Sequence, residues 1–179
     1  MKLILVAMEE ELREGDLPGY EIHYTGVGKV NAAISATRLI KEYSPSLIIN
    51  YGTAGSLNKN LQGLVEVKRF CQRDMNATPL GFEVGQTPFD DIGEINLGGD
   101  GCSCGTGDSF VTKNPELKTD VVDMEAYSIA KVCYIEDVSF RCFKFISDNA
   151  DSNADVDWSD NVSLGREIFI NSINKLNLC

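Results

Sequence analysis

A single-domain α/β fold, with a twisted, mostly parallel or mixed central sheet flanked by helices, is predicted by three observations. Short apolar runs of strand length alternate along the chain with segments of helical periodicity. Glycine-rich turns and acidic residues recur at the ends of those runs, where open α/β sheets place their ligands. The chain has 179 residues, 43% hydrophobic and 24% charged, an ordinary globular composition that fits one domain over 1–179.

The elements follow in order. Leu3–Ala7 is a short apolar run of the kind that forms a buried strand, and Glu21–Thr25 is a second extended segment ended by Gly26-Val27-Gly28. Asn31 offers an N-cap for a helix whose Ala32, Ala33, Ala36, Leu39, Ile40 and Tyr43 fall at helical spacing, stopped by Ser44-Pro45-Ser46. Leu47-Ile48-Ile49 is the next buried strand and runs into Gly52-Thr53-Ala54-Gly55; Gly63–Cys71 is strand-like, with β-branched Val65 and Val67. Residues 72–108 are rich in Gly, Asp, Asn and Pro and read as loop. Val121-Val122 leads into a helix over Met124–Val132, Val138–Ile146 is a strand ending in Ser147-Asp148, and Gly165–Leu178 closes as an amphipathic helix with Phe169, Ile173 and Leu176 on one stripe.

Charge narrows the partners. With 16 Lys plus Arg against 27 Asp plus Glu the net charge is −11, which excludes nucleic acid, because phosphate contacts need clustered cations. Small nucleosides carry no phosphate and stay open. The first apolar run ends at Met8 and is followed by Glu9-Glu10-Glu11, too short and wrongly flanked for a signal peptide, and no stretch is long enough to span a bilayer. The expectation is a soluble, unprocessed, cytoplasmic chain. The six cysteines have no CxxC pair and no nearby histidine, so they read as free thiols in a reducing compartment and no metal site is expected.

Three acidic clusters stand at strand ends or helix starts: Glu9-Glu10-Glu11, Asp123-Met124-Glu125 and Ser147-Asp148. By spacing alone they serve first as helix-N-terminal charges complementing the macrodipole. Convergent carboxylates are also what cleavage of an N-glycosidic bond needs: one to protonate the leaving base, one to activate water, one to hold sugar hydroxyls. Spacing names no substrate.

Ala7-Met8-Glu9-Glu10-Glu11, Gly26-Val27-Gly28-Lys29-Val30-Asn31-Ala32-Ala33 and Ile49-Asn50-Tyr51-Gly52-Thr53-Ala54-Gly55 resemble successive motifs of the bacterial 5′-methylthioadenosine/S-adenosylhomocysteine nucleosidases. These belong to the nucleoside phosphorylase/nucleosidase superfamily. The resemblance resumes colinearly at Asp74–Thr78, Gly81–Pro88, Gly107-Asp108-Ser109-Phe110-Val111, Val122-Asp123-Met124-Glu125-Ala126 and Ile146-Ser147-Asp148, covering nearly the whole chain. It implies hydrolysis of a 5′-modified adenosine to release adenine, with water as nucleophile and no cofactor. It also implies roles: Asp148 as the general acid at purine N7, Ser147 orienting it, and Glu11 activating water. Glu125 would bind the ribose 2′- and 3′-hydroxyls, with Met124 packing on the sugar and Thr53 near the sugar and water. Phe110 would stack on the base while the Val111 backbone reads its edge. Lys29 matches a motif position without a chemical step, and His23 reads as structural. Trp158, in Asp155–Asp160, is placed at a helix start near the site rim.

Related classes stay beside this reading. A nucleoside phosphorylase needs cations for phosphate, which Glu9–Glu11 would repel; a futalosine-type hydrolase would share the chemistry; a nucleoside-binding protein would lack turnover. The segment around 89–106 is shorter than the family pattern, with a helix and the strand leading to the base loop expected to be missing. The resemblance further implies a homodimer, with Phe82, Val84, Pro88 and Phe89 at its interface.

Overall fold

The structure, a computed structural model, describes residues 1–113, 115–150, 158, 161–162 and 164–176. Among these, β1 (Lys2–Val6), β2 (Glu21–Tyr24), β3 (Leu47–Ser56), β4 (Leu64–Gln72), β5 (Ile95–Asn96), β6 (Cys102–Thr106), β7 (Val121–Asp123) and β8 (Ser139–Asp148) form one mixed sheet. Helices α1 (Lys29–Tyr43), α2 (Ala126–Ile135) and α3 (Gly165–Leu176) cover it. The order β2-β1-β3-β7-β6-β4-β5 is completed by β8, which pairs with β3 on one side and β4 on the other. Strands β3, β8, β4, β6 and β7 thus close into a ring, while β1 and β2 extend the sheet in parallel beyond β3.

Period-two alternation sorts side chains to two cores. Leu3 and Leu5 of β1, Ile48 of β3 and Phe140 and Cys142 of β8 pack with Ala32, Ala36 and Ile40 of α1 and Ile129, Ala130 and Cys133 of α2. Ile4 and Val6, Ile49 and Tyr51, and Phe143 and Phe145 point the other way, onto Phe169 and Ile173 of α3. Tyr51 and Phe169 stack with ring centroids 4.0 Å apart. Burial on both faces explains the unbroken apolar stretches Leu3-Ile4-Leu5-Val6 of β1 and Leu47-Ile48-Ile49 of β3, whereas β8 carries Arg141 and Lys144 among its apolar residues.

Several expectations are corrected in detail. Helix α1 begins at Lys29 rather than beyond Asn31, with Gly28 at the cap in a positive-φ conformation (95°). Asn31 Nδ2 instead donates to the Val27 carbonyl at 2.7 Å. Helix α2 starts at Ala126, two residues later than predicted, because Asp123 Oδ2 accepts the Ala126 N–H at 2.8 Å and so caps the turn. Glu9 and Glu10 are exposed in a turn, not at a helix start. Loop-like 72–108 contains a short 3-10 turn (Thr78–Leu80), β5 and β6. The strand expected to be missing before the base loop is therefore present as β6, within the compact segment. Leu176 is the last described residue of α3, and Asn177 and Leu178, the predicted end of that helix, lie outside the described residues, as do most of Asp155–Asp160. No described helix is long and apolar enough to cross a membrane.

Candidate active site

The eight residues to which the sequence resemblance gives catalytic or binding roles line one cavity at the carboxyl ends of β1, β3, β7 and β8: Glu11, Thr53, Phe110, Val111, Met124, Glu125, Ser147 and Asp148. Residues from opposite ends of the chain are brought together by the crossovers of the sheet. Met8, Val27, Arg73 and Trp158 also stand in the wall.

Glu11 follows β1 on the turn Met8–Glu11 and is 4% exposed. Its Oε1 accepts the Thr53 N–H at 2.8 Å and the Thr53 hydroxyl at 3.1 Å, and its Oε2 accepts the Ala7 N–H at 3.1 Å. Thr53 therefore lies inside β3 as a holder of Glu11. Burial raises the Glu11 carboxyl above its ordinary value, opposed by the Lys144 ammonium and these donors. A buried acid with aimed N–H groups is suited to accept a proton from water.

Glu125 stands at the cap of α2, where its Oε1 accepts the Gly28 N–H at 2.9 Å. Burial, with the charges of Asp123 and Glu11 adding to it, pushes its carboxyl up to about 7, although Lys144 and the Gly28 N–H act downward.

Asp148 and Ser147 owe their common orientation to an irregularity. Along β3 and β8 the register runs Ala54 with Ile146, then Gly55 with Asp148, so Ser147 is an extra residue. In an unbroken strand adjacent side chains face opposite ways; the bulge lets both border the cavity. Ser147 Oγ lies 2.8 Å from Asp148 Oδ2 and 3.5 Å from the Ala54 carbonyl, while Oδ1 accepts the Ala150 N–H at 2.8 Å. The serine hydroxyl can donate to an ionised Asp148, or donate to Ala54 and accept from a protonated one. Gly55 makes room for this acid, since a Cβ there would stand 2.6 Å from Asp148 Oδ1.

Phe110 is half exposed at the cavity mouth and meets Trp158 edge-on at 6.3 Å, while Val111 is buried beside it. Arg73 supports their loop: its guanidinium donates to the Gly107 carbonyl at 3.2 Å and to the Ser109 carbonyl. Lys29, without a chemical step, has a structural one. It bridges to Asp74 at 2.6 Å, its N–H donates to Asp108, and Asp108 N–H donates back to Asp74. His23 packs against Tyr43, away from the cavity.

Sequence reasoning misses Lys144. It lies in β8 between Phe143 and Phe145, is 1% exposed, and pairs with Asp123 at 2.8 Å. Burial alone would raise the Asp123 carboxyl, but Lys144 and hydrogen bonds from Thr106 and Ala126 outweigh it and hold it below its ordinary value. A lysine flanked by phenylalanines in a strand is the signal available, because a buried ammonium requires a partner. Among the described residues no cluster could hold a metal ion.

The family model of the phosphorylase superfamily matches residues 6–97. A 5′-methylthioadenosine/S-adenosylhomocysteine nucleosidase from Shewanella pealeana is 32% identical, the match covering 84% of this chain and 78% of that protein. The chain belongs to this nucleosidase family. A second member, from Staphylococcus epidermidis, is 30% identical over 76% of this chain and 71% of its own. Among solved structures, a Helicobacter pylori nucleosidase of the same name, bound to butyl-thio-DADMe-Immucillin-A, has a TM-score of 0.86 at 23% identity, covering 97% of this chain and 96% of that one. The futalosine hydrolase of the same organism has a TM-score of 0.85 at 22% identity, covering 97% and 95%. At such identities these two structures bear on the fold of the family, which the sheet and its helices share.

Proposed function

We propose that the chain hydrolyses the N-glycosidic bond of a 5′-modified adenosine, of the 5′-methylthioadenosine or S-adenosylhomocysteine kind, and releases adenine. The observation that carries this reading is the convergence of Glu11, Glu125 and Asp148 on one cavity, each held by different donors. Asp148 delivers a proton to purine N7 as the C1′–N9 bond breaks and its electron pair passes to the base. Positive charge builds on the ribose, where the buried carboxylates stabilise it. Water then bonds to C1′ and gives its proton to Glu11. Glu125 accepts hydrogen bonds from the ribose 2′- and 3′-hydroxyls, Met124 packs on the sugar, Phe110 stacks on the base and the Val111 backbone meets its edge. Ser147 orients Asp148 in either protonation state, and Thr53 orients Glu11.

Water rather than phosphate is supported by the cations. Arg73 is the one Lys or Arg among the described lining residues; its Nη2 donates to the Gly107 and Ser109 carbonyls and its Nη1 to the Ser109 hydroxyl. Lys144 is committed to Asp123. The test is adenine release from 5′-methylthioadenosine in phosphate-free buffer, which added phosphate should not accelerate. Replacing Asp148 with Asn should lower turnover by at least about a thousandfold while substrate still binds. Near-wild-type turnover in that variant would remove the assignment.

The same reading treats residues 1–179 as one domain, working in the cytoplasm as a homodimer. Exposed apolar side chains support the dimer: Phe89 is 96% exposed and Leu80 70% on the 3-10 turn and loop, and Val30 is 68% exposed on α1.

A further inference from the structure

Trp158 is the single tryptophan of the chain, and no role above uses it. Its indole Nε1 donates to Thr53 Oγ1 at 2.9 Å. That hydroxyl reaches Glu11 Oε1 at 3.1 Å, the oxygen already held by the Thr53 N–H. A hydroxyl has one proton to give. With the indole donating into it, the Thr53 oxygen must turn that proton toward Glu11; without the indole, the hydroxyl is free to rotate away. The same indole stands edge-on to Phe110. One side chain therefore touches both the ring placed for the base and the residue that holds the basic carboxylate.

We propose that Trp158 is a positioning residue whose indole N–H fixes Thr53 as a donor to Glu11, and so keeps the water-activating carboxylate ionised and aimed. This rests on the role of Glu11 stated under Proposed function. The groups facing Glu11 are the Ala7 N–H from its own turn, Thr53 and Tyr51 from β3, Lys144 from β8 and Glu125 from the start of α2. Lys144 and the N–H donors favour the carboxylate, and Glu125 opposes it. Asp123 stands behind as the ion-pair partner of Lys144. The Thr53 hydroxyl is one of the donors that oppose the upward push of burial on Glu11, so loss of the relay favours the neutral acid.

Trp158→Phe keeps an aromatic ring and removes the N–H. Adenine release from 5′-methylthioadenosine should lose about tenfold in kcat with KM changed less than about threefold. The acid limb of the kcat–pH profile should move to higher pH, and Thr53→Val should reproduce both effects, with no further loss in the double variant. Unchanged kcat and pH profile in Trp158→Phe, or a change confined to KM, would overturn the proposal. A second readout does not depend on turnover. The emission of the sole indole should titrate with Glu11 in the wild-type protein and lose that titration in Glu11→Gln; an identical titration in Glu11→Gln would also overturn it. A wild-type protein that titrates in this way but releases no adenine retires the hydrolase reading and keeps the relay.

Discussion

Glu125 shows what a proposed sugar-binding residue costs the fold around it. Its folded-state carboxyl titrates near 7, against an ordinary value of 4.5. Between those two pH values the folded protein holds a proton that the unfolded chain releases, so stability falls as pH rises through that window and stays low above it. Glu125→Gln removes the charge and keeps an acceptor for the Gly28 N–H. We expect that variant to be more stable than wild type by on the order of 2 kcal/mol at pH 8 and little changed at pH 5, by urea unfolding. Its adenine release should be strongly reduced. Equal stability at pH 8 would mean that Glu125 is not desolvated as described. The eight proposed site residues are legible because their motifs stand in a recognisable order. Lys144 and the bond made by Trp158 are not, since a buried ion pair and an indole–hydroxyl contact are tertiary and leave no periodic trace.

Elements differ in legibility for a physical reason. Strand β1 and the first half of β3 are buried on both faces and appear as apolar runs, and β8 stands out by Phe140, Cys142, Phe143, Phe145 and Ile146 around Arg141 and Lys144. Strand β6 is Cys-Ser-Cys-Gly-Thr, small and largely polar, and its composition reads as loop. It is buried because its polar groups are satisfied from outside: Ser103 Oγ donates to Asp120 Oδ2 at 2.7 Å and Thr106 Oγ1 to Asp123 Oδ1 at 2.6 Å. Composition alone cannot reveal a strand whose hydrogen-bond partners lie elsewhere in sequence. At this scale Gly55 is the sensitive position. Gly55→Ala places a methyl group against Asp148, so kcat should fall about a hundredfold while the far-ultraviolet circular dichroism is retained. Wild-type kcat in that variant would show that β3 can yield without moving the acid.

At the scale of the whole molecule, the net charge of −11 and the exposed apolar side chains act in opposite directions. Like charge keeps copies apart, and in the proposed dimer exposed apolar area would hold one pair of faces together. Light scattering at micromolar concentration should give twice the chain mass, and Phe89→Asp should shift it to the monomer with the fold intact. A wild-type monomer would withdraw the dimer. The fold class is readable from alternation of strand and helix, but the closure of β3, β8, β4, β6 and β7 into a ring is not, because it depends on which edges meet. That ring contains the one-residue slip between Ala54 and Gly55. The slip makes the chemistry a matter of counting as well as of composition. Removing a single residue from β8 upstream of Ser147 would alter neither acid, base nor sugar contact, yet it would turn Asp148 to the opposite side of its strand. The placement of the proposed proton donor is thus encoded partly in chain length, a property that no substitution scan of the site would detect.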